Sequence, residues 1–414
     1  MSETDEESYI ISNTFDTTGI SLRWPHIVFG LCYLVLGTLF VSQVYNSSDP
    51  VAYLHGADSL INGGPLYRGQ PGIVYPPAFY ALLAIVFYPI VGNQILQNQA
   101  ASIVVLSGIY VSAVLISTYY STGLIQKRHR NAWALFVLFN PLIWFGSYFF
   151  GQADVIVGAL VLVAVAAMNR ERWILVGMAL ALAASIKIWP AGFFFPLLFH
   201  QRERIRDIVF GAAPVVAFNA GLVLSIPDTM GFFLYRKSFT SAGFLQMMSL
   251  KLFNYQIQFT EFIFIVVILS VIGYATFGYL PNLTARFLVI GFTVPYVLAA
   301  NRYRWIPFAM LLGWYGFKHY DLTGTKFIHY ACAFSAIASL TQFLHLFATS
   351  PKTYLHTLYD GYLTVPFLDS PSMLAHELQK WLLVLHVVIG AIVVIKFLRW
   401  SIKRDQHDNS PFSD

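Results

Sequence analysis

The chain has 414 residues, of which 57% are hydrophobic, 17% aromatic and only 11% charged. Soluble domains carry about 25% charged residues, so this composition excludes an ordinary globular enzyme and points to a polytopic membrane protein. The formal charge of +5 does not indicate a nucleic-acid partner. Its basic residues fall in short clusters between apolar runs, the pattern that sets membrane topology.

Residues Met1 to Asp16 are acidic and polar, with no basic n-region and no cleavage signal. The apolar run Ile27–Tyr45 is therefore expected to stay as the first span, behind a cytoplasmic tail over residues 1–25. A polar loop, residues 46–76, follows it: Asn46-Ser-Ser-Asp49, Tyr53, His55, Asp58, Asn62-Gly-Gly, Tyr67-Arg68 and Tyr75-Pro76-Pro77. Ionisable groups beside a bilayer are costly to keep, which makes this loop the first functional candidate. Asp49 suits a general base for an attacking hydroxyl. Equally, it suits the cap of a surface helix from Pro50 to Leu60, since Asp-Pro is a good helix start. Tyr67 and Tyr75 suit stacking on a sugar ring, or an interfacial aromatic belt.

Further spans are expected at Pro77–Val91, Ser102–Tyr120, Ala132–Phe149, Val155–Met168, Ile174–Phe199 and Ile208–Ser225. Phe262–Leu280, Ala285–Ala300, Ile306–Phe317, Phe327–Phe347 and Trp381–Leu398 complete the set. Keeping Lys127–Arg130 cytoplasmic requires Pro77–Val91 to begin and end on the outer side as a re-entrant or tilted segment. Between two runs, Gly151-Gln152-Ala-Asp154 marks a polar break, where Asp154 either contacts substrate hydroxyls or caps the next helix. Lys187-Ile-Trp-Pro190 interrupts Ile174–Phe199, predicting two half-helices that dip in and return. Lys187 is placed to pair with Asp154 or a lipid phosphate, or to snorkel from a short helix end. Arg236, Lys237, Arg302 and Arg304 fall on the expected outer side, as ligands for a lipid phosphate or as headgroup contacts.

Cys32 and Cys332 both lie in apolar runs and read as packing residues. No phosphate-cradling glycine loop, HExxH or zinc spacing is present. A His55, Asp49 and Asp58 metal cluster is a weak signal, and no metal or other cofactor is expected. No internal repeat supports an inverted-repeat transporter, although a transporter or lipid flippase remains the competing reading.

Four motifs in order, Asp49…Tyr53…Gly63…Tyr67…Tyr75-Pro-Pro, Asn140-Pro-Leu, Gly151-Gln-Ala-Asp154 and Lys187-Ile-Trp-Pro190, resemble the GT-C superfamily of glycosyltransferases. The resemblance is nearest to polyprenyl-phosphate-mannose-dependent mannosyltransferases of GPI-anchor and phosphatidylinositol-mannoside synthesis. It implies an all-α membrane fold with about 10–13 transmembrane or re-entrant helices and a structured first outer loop. A shared module would cover residues 26–225, a variable one 226–400, and a cytoplasmic tail 401–414. It also implies transfer of a hexose, mannose by nearest likeness, from a polyprenyl- or dolichyl-phosphate donor to a lipid-linked or glycan acceptor, with inversion. Asp49 would be the base, with Tyr53, Asp58, Tyr67, Tyr75, Gln152, Asp154 and Lys187 around the substrates. The GPI branch has paired acids at this point, whereas Ser47 stands at the first acid position here, favouring a single-aspartate mechanism. The site would face away from the cytoplasm, in a prokaryotic cell membrane or the endoplasmic reticulum.

Overall fold

The computed structural model describes residues 48–64, 66, 75–144, 146, 152–226, 249–252, 255–278, 280, 282–298, 305–349, 385, 388–400 and 402. Within them the chain is an all-α membrane protein, with one short hairpin that pairs Ser249–Leu252 with Tyr255–Gln258. The expected first span, Ile27–Tyr45, lies outside the described residues.

Helix α1 (Ser48–Ile61) is followed by α2 (Pro77–Val91) and α3 (Gln99–Thr122). Helix α1 is longer than the expected Pro50–Leu60 element, and it is not a surface helix. Tyr53, Leu54 and Ala57 are fully buried because their spacing places them on one face against α2. The expected single span Ala132–Phe149 is corrected: the structure has α4 (Arg130–Leu138), a break, and the short α5 (Pro141–Trp144). Pro141 has no amide hydrogen to continue the ladder. Asn140 supplies the cap, its Oδ1 accepting the Leu142 amide at 3.0 Å while its Nδ2 donates to Ser335 Oγ at 3.0 Å.

Helix α6 (Asp154–Met168) is apolar on every side and nearly all buried, as a central bundle helix must be. Helix α7 (Trp173–Ile186) stops where Lys187 adopts extended backbone, and a 3-10 turn at Trp189–Phe193 leads into α8 (Phe194–His200). These are two half-helices, and the chain does return between them. Helix α9 (Ile205–Ser225) starts beside the start of α7, where Arg204 meets Glu171 at 3.6 Å. Further along, Asn219 Nδ2 donates to Ser185 Oγ at 2.7 Å, so α7 and α9 run side by side in the same direction. Gly177 and Gly211 allow that approach, because a Cβ on either would strike the backbone of Ile208 or Ile174. Between membrane helices such backbone proximity takes the place of a hydrophobic driving force.

Helices α10 (Phe259–Phe277), α11 (Leu283–Leu298), α12 (Ile306–Lys318), α13 (Tyr320–Thr323) and α14 (Lys326–Thr349) complete the bundle, and residues 388–400 are helical beside them. Among the described residues, Val104–Thr122 and Arg202–Ser225 are long and apolar enough to cross a membrane. The latter turns Val209, Phe210, Val216 and Leu224 outward as an apolar flank.

The basic clusters gather at one end. There Arg170 lies 4.3 Å from the Tyr120 ring centroid, Arg128 pairs with Asp321, and Lys318 donates to Asn169. Helices α3 and α6 both finish at this end, and α7 and α9 both start from it. Asp154 and Lys187 consequently stand at the opposite end.

Candidate functional site

At that opposite end, segments far apart in sequence meet. The Asp154 side chain is fully buried in the first turn of α6, where the helix dipole favours a negative charge. It pairs with Lys187, whose side chain is 12% exposed. Lys187 sits there because α7 ends one residue earlier and the extended backbone turns the chain across the start of α6. Its Nζ also lies 5.3 Å from the Tyr75 ring centroid, a cation–π distance.

Tyr75 is held on three sides. Its amide donates to Tyr80 Oη at 3.2 Å, and its ring packs against Phe79 at 5.2 Å. Tyr53 donates its hydroxyl hydrogen to Tyr75 Oη at 2.8 Å, with the rings edge to face at 4.9 Å. The Ala153 amide donates to Tyr53 Oη at 3.3 Å, tying α1 to the residue just before Asp154. Gln152, buried beside it, donates its amide to the Gly146 carbonyl at 2.7 Å and accepts from Val155 at 3.3 Å. Tyr53, Tyr75, Gln152, Asp154 and Lys187 thus form one buried polar cluster fed by four separate segments.

Among the described residues, Asp154 Oδ1 and the Trp189 indole nitrogen find no hydrogen-bond partner. Buried polar atoms are almost always paired, so an orphaned carboxylate oxygen is an acceptor held ready at a cost in stability. The cluster can hold a cation over an aromatic face and present a carboxylate oxygen to a hydroxyl.

Asp49 lies in the first turn of α1, one helical turn ahead of Tyr53 and in i, i+4 register with it. Asp58 turns elsewhere, its Oδ1 accepting from Asn62 Nδ2 at 3.1 Å. Tyr67, Arg236, Lys237, Arg302 and Arg304 lie outside the described residues. Sequence reasoning missed Phe79, Tyr80 and Trp189. The first two follow from helical register, since they stand four and five residues after Tyr75 and return to pack on it. Among the described residues no group of three or more His, Cys, Asp or Glu side chains is placed to hold a metal ion.

Residues 74–318, more than half the chain, match the family model of Glycosyltransferase family 87. Tyr75, Gln152, Asp154 and Lys187 fall inside that stretch, while Asp49 and Tyr53 precede it. The chain is also similar to a polyprenol-phosphate-mannose-dependent alpha-(1-2)-phosphatidylinositol pentamannoside mannosyltransferase of Mycolicibacterium smegmatis, 32% identical over 170 residues. That match covers 38% of this chain and 39% of the relative's length.

Proposed function

This chain belongs to glycosyltransferase family 87, and from that premise we propose that it is a membrane hexosyltransferase that moves mannose from a polyprenyl-phosphate carrier to a lipid-linked or glycan acceptor. The relative's name specifies a polyprenol-phosphate-mannose donor for that protein, which supports the same donor class here. The observation that carries the reading is the convergence of Tyr53, Tyr75, Asp154 and Lys187 at the end of the bundle opposite its basic clusters.

In the proposed reaction Asp49 takes the proton of the acceptor hydroxyl as attack begins. The new bond forms between that oxygen and the anomeric carbon while the bond from the anomeric carbon to the phosphate oxygen breaks. The electron pair leaves with the polyprenyl phosphate, and backside displacement inverts the anomeric centre. Lys187, aimed by Asp154 and by the Tyr75 ring, offsets the negative charge growing on the departing phosphate. Arg236, Lys237, Arg302 and Arg304 are proposed as further phosphate partners, and Tyr67 with Tyr75 as a platform for the sugar. Gln152 is proposed as a further substrate contact, and Asp58 as one from the far end of α1, where it also accepts from Asn62. The reaction would occur on the non-cytoplasmic face.

The test uses purified full-length protein with radiolabelled polyprenyl-phosphate sugars and a panel of lipid-linked acceptors. Mannose transfer is expected, and Asp49→Asn should abolish it while leaving donor binding intact. Retained turnover in Asp49→Asn removes the proposed base. Movement of the intact lipid-linked sugar across a bilayer without transfer would instead favour a flippase.

A further inference from the structure

Two residues beyond Lys187, Trp189 opens the 3-10 turn that joins α7 to α8. By chain reach its Cα lies within about 7 Å of that of Lys187. Trp189 is 7% exposed, and its covered indole nitrogen finds no hydrogen-bond partner among the described residues. An indole N–H is a donor and nothing else, and burying one unpaired is costly. Elsewhere in the bundle the same group is satisfied. Trp133 donates to Ser121 Oγ at 3.0 Å, Trp144 to the Leu138 carbonyl at 2.7 Å and Trp314 to the Ser121 carbonyl at 3.3 Å.

Local packing holds the Trp189 ring in place. Pro190 sets the backbone just after it, and the Ile188 carbonyl accepts the Ala191 amide at 3.0 Å to close the turn. The ring meets Phe193 edge to face at 5.7 Å, and Phe193 packs on Phe287 of α11 at 4.7 Å. Gly192 brings the same turn against Ile272 of α10 and Ile290 of α11. The turn still reaches the margin of the bundle end, since Ile188, between Lys187 and Trp189, is 44% exposed.

Asp154 Oδ1, the oxygen left over from the Lys187 pair, has the opposite demand. As a carboxylate oxygen it repels phosphate and takes only a hydrogen donor. This end of the bundle therefore holds an unused donor, an unused acceptor and the Tyr75 ring. A hydroxyl both gives and accepts a hydrogen, so a sugar is the ligand whose chemistry meets both demands. We infer that the Trp189 indole N–H donates to a hydroxyl oxygen of the sugar on the lipid carrier, which makes Trp189 a residue that selects the sugar. The inference rests on the proposed glycosyl transfer and adds a contact to the sugar, not to the phosphate assigned to Lys187.

The test measures steady-state transfer by the intact protein from polyprenyl-phosphate mannose and from a panel of monodeoxy mannoses on the same carrier. Trp189→Phe should lower kcat/KM for mannose about tenfold, the loss of one hydrogen bond in a buried site. With one member of the panel, the sugar lacking the contacted hydroxyl, Trp189→Phe should cost nothing further. Inhibition by sugar-free polyprenyl phosphate should be unchanged. Because phenylalanine also shrinks the ring, a second variant replaces the Trp189 indole by benzothiophene through an unnatural amino acid. It keeps the bicyclic shape without the N–H and should show the same pattern. Full activity of the benzothiophene variant, an equal penalty across the whole panel, or weaker inhibition by the sugar-free carrier overturns the Trp189 assignment and leaves the transfer reading in place. No sugar transfer by the parent protein from any carrier overturns that reading and the Trp189 contact with it.

Discussion

Asp154 and Lys187 are a buried pair in which each partner makes the other tolerable. Removing Lys187 alone strands a fully buried carboxylate that already has one unpartnered oxygen. Lys187→Met should therefore destabilise the protein by about 3–5 kcal/mol. Asp154→Asn in the same chain removes the stranded charge, and the double variant should recover most of that loss while remaining inactive in sugar transfer. Thermal unfolding read beside a transfer assay separates the two effects. A double variant as unstable as Lys187→Met would mean that the pair is not what holds this end together. Tyr53→Phe keeps the ring contacts but leaves the buried Ala153 amide without its acceptor, at about 1–3 kcal/mol, with Tyr75 losing its anchor as well.

At the scale of helices, packing and propensity pull in opposite directions at glycine. Gly177 sits where α7 meets the backbone of α9, so Gly177→Ala should destabilise by about 1–3 kcal/mol despite alanine's better helix propensity. Gly221, on the same helix α9, has open space around it, and there alanine should stabilise by up to about 1 kcal/mol. Denaturation midpoints for the two variants should move in opposite directions; a shared direction would show that the α7–α9 contact is slack. Helices with plain punctuation were legible in the sequence. Pro77–Val91 matches its expected bounds, and Lys187 with Pro190 announced the break inside Ile174–Phe199. Ala132–Phe149 was misread as one span because its hydropathy runs on past Pro141, whose missing amide breaks the helix all the same. For the site, Lys187 and Asp154 were legible as ions that an apolar setting must pair. The approach of Tyr53 to Ala153 was not, since it depends on how α1 lies against α6 across 100 residues of chain.

Across the whole molecule, charge separates the two ends of the bundle more sharply than length does. Helix α6 has 15 residues, about 22 Å, short of the roughly 30 Å hydrocarbon core, so hydropathy alone does not fix its orientation. The basic clusters collect at one end, and because cytoplasmic loops favour Lys and Arg we propose that end as the cytoplasmic one. Helix α3 has 24 residues, about 36 Å, and finishes at the basic end, so it starts on the Asp154 side. Tyr75, just before α2, is on the Asp154 side too. On that proposal both ends of Pro77–Val91 lie on the outer side, as a re-entrant segment would. Three single cysteines test this in a chain with Cys32 and Cys332 replaced by alanine, using a membrane-impermeant maleimide on sealed cells. Gly64→Cys and Asn93→Cys, both at exposed positions, should be labelled from outside. Glu203→Cys should react only after permeabilisation. If Pro77–Val91 crosses the bilayer instead, Asn93→Cys will react only after permeabilisation, together with Gly64→Cys, because Asn62 Nδ2 contacts the Asn93 carbonyl at 3.3 Å.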